Sequence, residues 1–114
     1  MTEIKYVKGV NYDYSSKPKK NMKFKVGEIY GEEDDTFHFC PVEHVSSILG
    51  YFENPNQVRF LVITPLENFY CDAIIPDLCT CSKMRIDREL TLEEVINLDQ
   101  TGNIKRRVED NRFN

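Results

Sequence analysis

Residues 58–64, Val-Arg-Phe-Leu-Val-Ile-Thr, constrain this chain more than any other stretch. Four consecutive apolar residues, Phe60 to Ile63, leave no polar face. Successive side chains of a strand point to opposite sides, so a strand of this kind must be covered on both. The stretch therefore reads as a central strand, ended by Pro65. The rest of the chain has to supply its neighbours and a layer on each face.

Candidates for both are present. Residues 3–10 alternate loosely and read as a first strand that Gly9 ends or bulges. Residues 11–20 are polar and turn-rich. Residues 22–30 alternate up to Gly27, with Met22, Phe24 and Val26 on one face, and an acidic turn follows from Gly31 to Asp35. Phe37–Cys40 reads as a short strand, and Pro41 suits the first position of a helix. Val42, Val45, Ile48, Leu49 and Phe52 then make an amphipathic helix, broken at Asn54-Pro55-Asn56. Phe69–Ile75 and Cys79–Ile86 are further strands. Thr91-Leu92-Glu93-Glu94 is a capping box opening a second helix, with Leu92, Val95 and Ile96 as its apolar stripe. This order predicts an α+β fold: one globular domain over 1–98, with a mainly antiparallel sheet of five or six strands and two short helices. Residues 99–114 read as a polar tail or a frayed helix.

Composition narrows the function. A chain of 114 residues with net charge −4 lacks the basic balance of a general nucleic-acid binder. No run approaches the length needed to span a bilayer, and the start is too polar for a secretory signal. A cytoplasmic location follows as the expectation. There Cys40, Cys71, Cys79 and Cys81 would be reduced thiols.

"Phe-His-Phe-Cys-Pro-Val-Glu-His", residues 37–44, is the densest chemical cluster. His38, Cys40 and His44, together with Cys79 and Cys81, offer enough nitrogen and sulfur for a structural zinc. Neither His-x-Cys nor Cys-x-Cys has the usual knuckle spacing, and buried thiols with a hydrogen-bonded histidine explain the same residues. A Cys40–histidine nucleophile is a further reading, but no Gly-rich turn presents Cys40. Lys17, Lys19, Lys20, Lys23 and Lys25, followed by Glu28, Glu32, Glu33, Asp34 and Asp35, read as a solvated hairpin in preference to a phosphate patch.

Taken in order, Lys8-Gly9, Phe24-Lys25-Val26-Gly27-Glu28-Ile29-Tyr30, Phe37-His38-Phe39-Cys40, Tyr51-Phe52 and Arg88-Glu89-Leu90-Thr91-Leu92-Glu93-Glu94 resemble a family of small proteins from phages, bacteria and large viruses. The resemblance covers nearly all of residues 5–96 and implies no activity. The chain departs from that pattern at Thr36, where members have Gly, and at Asp34 and Asp35, where members often have a Cys. A weaker likeness is to ADP-ribosyltransferases, through Tyr6-Val7-Lys8-Gly9, Val26-Gly27 and Phe37-His38-Phe39-Cys40. It implies a nucleotide or NAD cleft at Lys8, His38 and Tyr51, although Thr80 or Ser82 stands where the catalytic glutamate belongs.

The expectation is therefore a small non-enzymatic accessory protein, of viral or phage type. It would act by contact with an unknown protein partner or with itself, with no cofactor required. A diverged nucleotide-binding domain and a zinc-stabilised module are the alternatives.

Overall fold

A computed structural model describes residues 3–15, 22–32, 34–50, 52, 55–75 and 78–112. The strands are β1 (Tyr6–Asn11), β2 (Ile29–Tyr30), β3 (Phe37–Pro41), β4 (Val58–Glu67), β5 (Tyr70–Cys71), β6 (Cys79–Cys81) and β7 (Lys83–Leu90). A 3-10 segment, Val42–Gly50, follows β3, and the helices α1 (Leu92–Leu98) and α2 (Asn103–Arg112) follow β7. All described strand pairings are antiparallel, in the order β2-β7-β4-β1-β3-β6-β5. The α+β expectation holds, with a seven-stranded sheet among the described residues.

β4 is central, as its pattern demands. It pairs with β1 on one side, Val7 opposite Val62 through Asn11 opposite Val58, and with β7 on the other. Its two faces enter two different cores. Val58, Phe60 and Val62 pack with Val7, Cys40, Val45, Ile48, Leu90, Val95 and Ile104, beneath the 3-10 segment and both helices. Leu61 and Ile63 pack with Val10, Phe24, Phe37, Phe39, Cys79, Cys81, Met84 and Ile86 on the other face. There the β2 side curls round until a Cβ at Gly31, whose φ is 124°, would collide with the Ser82 carbonyl and the Phe37 ring. Only glycine fits that approach.

Six local expectations need correction. Gly9 neither ends nor bulges β1, which pairs with β4 in unbroken register from Val7 to Asn11. Residues 22–30 do not form one strand: Phe24 is buried, but Val26 is exposed on a turn where Gly27 has φ of 91°. Pro41 ends β3, and the segment after it is a 3-10 helix broken at His44, although Val45 and Ile48 point inward as expected. Pro65 does not end β4, which runs on to Glu67. The pairing with β1 stops at Val62, so Pro65 lies past the ladder that would need its missing N–H. The expected strand Phe69–Ile75 shrinks to Tyr70–Cys71. The expected strand Cys79–Ile86 is two strands, β6 and β7, parted at Ser82. There the Ser82 amide donates to the Glu67 carbonyl at 3.0 Å.

The capping box is present with both reciprocal bonds between Thr91 and Glu94. Beyond it, the polar stretch is more than a tail. Asp99 accepts the Ile104 amide at 2.9 Å and starts the turn into α2, which plants a fully buried Ile104 in the helix-side core. Replacing a buried isoleucine by alanine typically costs about 2–5 kcal/mol. Ile104→Ala should lose stability of that order in a chemical denaturation series, whereas Lys105→Ala, exposed one position on, should leave the midpoint unchanged.

Candidate functional site

The residues singled out at 37–44 fall on both faces of the sheet. Phe37 and Phe39 face inward, while His38 and Cys40 take the opposite face. Cys40 is buried there, its thiol donating to the Val7 carbonyl at 3.6 Å. His38 stays on the exposed side, and His44 sits at the kink of the 3-10 segment. Cys79 and Cys81 lie on the other face, and Cys79 is joined to Cys71 in a disulfide. The five candidate metal ligands are thus not brought together, and no cluster of three His, Cys, Asp or Glu side chains occurs among the described residues. The expectation of four reduced cysteines is corrected to one disulfide and two buried thiols, Cys40 and Cys81. Tyr51, Lys17, Lys19, Lys20 and Glu33 lie outside the described residues.

Lys8 and His38 do meet, but through the backbone. β1 and β3 share two registered pairs, Tyr6 with Pro41 and Val7 with Cys40. Continuing that register would set Gly9 opposite His38, yet the strands part before they reach it. Lys8 enters the gap and its ammonium donates to the His38 carbonyl oxygen at 2.8 Å. The ammonium lies 5.9 Å from the Phe24 ring centre and 6.0 Å from that of Phe37, within reach of cation–π attraction. Lys8 is only 5% exposed. Burial pulls its pKa from 10.5 down to about 8, against a smaller upward pull from Cys81. Burial pushes the Cys81 thiol up. Burial, and then the Lys8 charge, push the His38 imidazole down. Lys8 thus acts as a substitute rung where the ladder fails.

A second polar cluster pins the turn after β1. The Arg59 guanidinium lies between the rings of Tyr12 and Tyr14, 4.0 and 4.3 Å from their centres. It also bonds Glu89 at 3.0 Å, and Glu89 accepts the Tyr14 hydroxyl at 2.7 Å. These groups satisfy one another and hold Tyr14 in its left-handed conformation.

The surface is different around residues 66–75, of which the sequence assigns Phe69–Ile75 to a strand. Leu66, Phe69, Tyr70, Ile74 and Ile75 are exposed, Ile74 by 90%. Local geometry puts them there. Asn68, with φ of 52°, turns the chain from β4 into β5, and its amide donates to the Ser82 hydroxyl at 2.8 Å. Phe69 stacks on the buried Phe39 and meets Tyr6 edge-on, so the rim is rooted in the core. In the next loop the Asp72 carboxylate accepts the amides of Ile74 and Ile75 at 2.7 and 3.0 Å, which holds its pKa low. Asp72 and Leu78 close that loop with a backbone bond of 3.0 Å. Two isoleucines are therefore held outward by a bonded loop. The legible signal was Ile74-Ile75 between Asp72 and Pro76, an apolar pair with no polar alternation.

The buried lysine gives a direct test. Below pH 8 Lys8 is charged in both the folded and the unfolded chain, and the full burial penalty is present. Between pH 8 and 10.5 the folded chain has released the proton that the unfolded chain still holds, so stability rises with pH. A shift of this size corresponds to about 3 kcal/mol. Wild type should therefore gain about that much relative to Lys8→Met between pH 7.5 and 10.5 in paired denaturation curves. Parallel profiles would mean that the ammonium carries no such penalty.

No curated protein and no solved structure matches the chain. A family model described as a domain of unknown function, DUF7666, matches residues 4–98, which takes in the whole sheet, the rim and α1. On that match the chain belongs to the DUF7666 family.

Proposed function

We propose that the domain acts through protein–protein contact at the 66–75 rim, and that the occupant this rim fits is a second copy of the chain. The observation that carries the reading is Ile74, 90% exposed on a loop whose own hydrogen bonds fix it outward. A grouped apolar surface of this kind marks an interaction site more often than scattered exposed residues do. β5 adds an edge: β6 occupies one side of it, and no described strand occupies the other. Unpaired edge backbone is a template for another strand. Set against its own copy about a two-fold axis, β5 would form an antiparallel, self-complementary pair.

Charge and size support the same occupant. Within 66–75 the acidic side chains are Glu67 and Asp72. Glu67 lies 3.6 Å from Lys83, and the Asp72 carboxylate is taken by two amides, so two copies can meet without bare like charges. Five exposed apolar side chains are fewer than the roughly 20–30 residues a side of a standard interface, so the face fits a small contact between copies. The contact is reversible, not obligate. This extends the likeness to small phage, bacterial and large-virus proteins into an accessory role exercised by assembly.

Sedimentation equilibrium from micromolar to millimolar protein tests the reading. Wild type should show a monomer–dimer equilibrium, and Ile74→Asp should weaken it by at least about tenfold. Val26→Ser, on an exposed turn elsewhere, should not change it. Thermal melts would confirm that both variants fold. An ideal wild-type monomer throughout the range would overturn the proposal.

A further inference from the structure

The rim is fastened by a bond that cellular chemistry can open. Cys71 on β5 and Cys79 on β6 stand directly opposite each other in the ladder and are joined as a disulfide. β5 contributes only one other registered pair, Tyr70 with Thr80. The loop that the disulfide closes, residues 72–78, carries Ile74 and Ile75. On one side of the bond the rim is open to solvent. On the other, Cys79 is fully buried with Phe39 and Cys81.

We propose that the Cys71–Cys79 disulfide is a redox-controlled clasp: a cellular dithiol opens it, and opening releases the β5 edge and the Ile74–Ile75 loop from their binding geometry. The inference rests on the rim being the contact surface, but its structural half can be tested without it. Cys71 is partly exposed while Cys79 is not, so the incoming thiolate attacks the Cys71 sulfur. The S–S bond breaks, Cys79 leaves as thiolate and takes up a proton, and a mixed disulfide remains on Cys71. The second thiol of the reductant resolves that mixed disulfide and returns Cys71 as a thiol. The reductant leaves as its own disulfide, two electrons having passed to the protein.

The remaining cysteines do not short-circuit the step. Cys81, two residues from Cys79 on the same face, is buried, and that burial disfavours the thiolate needed for internal exchange. Cys40 lies in the opposite core, its thiol bonded to the Val7 carbonyl. What the clasp holds is local. β4 and β7 are paired to strands that do not pass through it, β3 keeps its pairing with β1, and Phe69 keeps its place through Tyr6 and Phe39. Loss of a cross-link closing a loop this short relaxes the loop's closed state by on the order of a hundredfold.

Hydrogen exchange read by mass spectrometry, with and without dithiothreitol on the folded protein, tests this. The thiol count should rise from two to four without denaturant. Exchange at amides 70–79 should then accelerate by at least about tenfold while β4 and β7 stay protected, and Cys71→Ser should reproduce the change. Unchanged exchange with four thiols confirmed would overturn the clasp, as would a disulfide that resists the dithiol in the folded state. Protection lost equally across the whole sheet would also overturn it, because the bond would then be structural. Sedimentation on the same samples separates the two readings. A dimer unaffected by reduction sinks the control and leaves the contact surface. A local release in a protein that never dimerises sinks the contact surface and leaves the clasp as a local device.

Discussion

Tyr6 opposite Pro41 and Val7 opposite Cys40 are the registered pairs that join β1 to β3, and through them β3, β6 and β5 to the rest of the sheet. Every other junction either is longer or lies at an edge. The chain reinforces the seam from both ends. The Val42 amide donates to the Lys5 carbonyl at 2.9 Å, and the Cys40 thiol adds a weak bond to Val7. At the other end the Lys8 ammonium reaches the His38 carbonyl where the backbones have already parted. A buried ammonium is an expensive way to satisfy one carbonyl. It is tolerated because an unpaired carbonyl in the gap between two cores would be costly in turn, and because two aromatic faces share the charge.

The seam matters because the sheet has to serve two cores at once. β4 sends Phe60 and Val62 to the helices and Leu61 and Ile63 to the aromatic side. β3 does the same with Cys40 on one face and Phe37 and Phe39 on the other. Strands apolar on both faces cannot be left flat and open. The sheet curls over Phe24, and the helices cover the remaining face. Ser82 is where that curl is taken up: β6 belongs to the β3–β5 side, β7 to the β4–β2 side, and the amide between them turns to Glu67.

Much of this was written plainly in the residues. The both-sided apolar run of β4, the inward Phe37 and Phe39 and the Thr91 capping box are local signals that no tertiary contact contradicts. The Ser82 break was less visible, because neither Gly nor Pro marks it. Its trace is a change of phase: Cys79 and Cys81 share a core with Met84 and Ile86, although strict alternation would oppose them. Lys8 could be flagged as unusual but not placed, because its burial depends on two strands separating about thirty residues apart in the chain. The disulfide is hidden both by an assumption about compartment and by a strand read too long past Cys71. Candidate strands run through both Cys71 and Cys79, but a hairpin of 69–75 with 79–86 sets Ile75 opposite Cys79, and only a strand that stops at Cys71 brings the two cysteines face to face. The rim was missed because Phe69–Ile75 was read as strand, while Asp72 uses its carboxylate to stop the strand after two residues.

The place of β4 between β1 and β7 also bears on how the chain reaches this state. Its partner residues on β1 come about fifty positions earlier and those on β7 about twenty-five later, and non-local pairing of this kind is slow to form. As the polypeptide leaves the ribosome, the most apolar strand emerges with one neighbour already present and the other not yet made. For that interval Phe60 to Ile63 present a bare, β-prone edge to whatever lies nearby. The same strand that anchors the finished sheet is therefore its chief hazard during synthesis, and arrival of β7, more than any helix, ends the exposure.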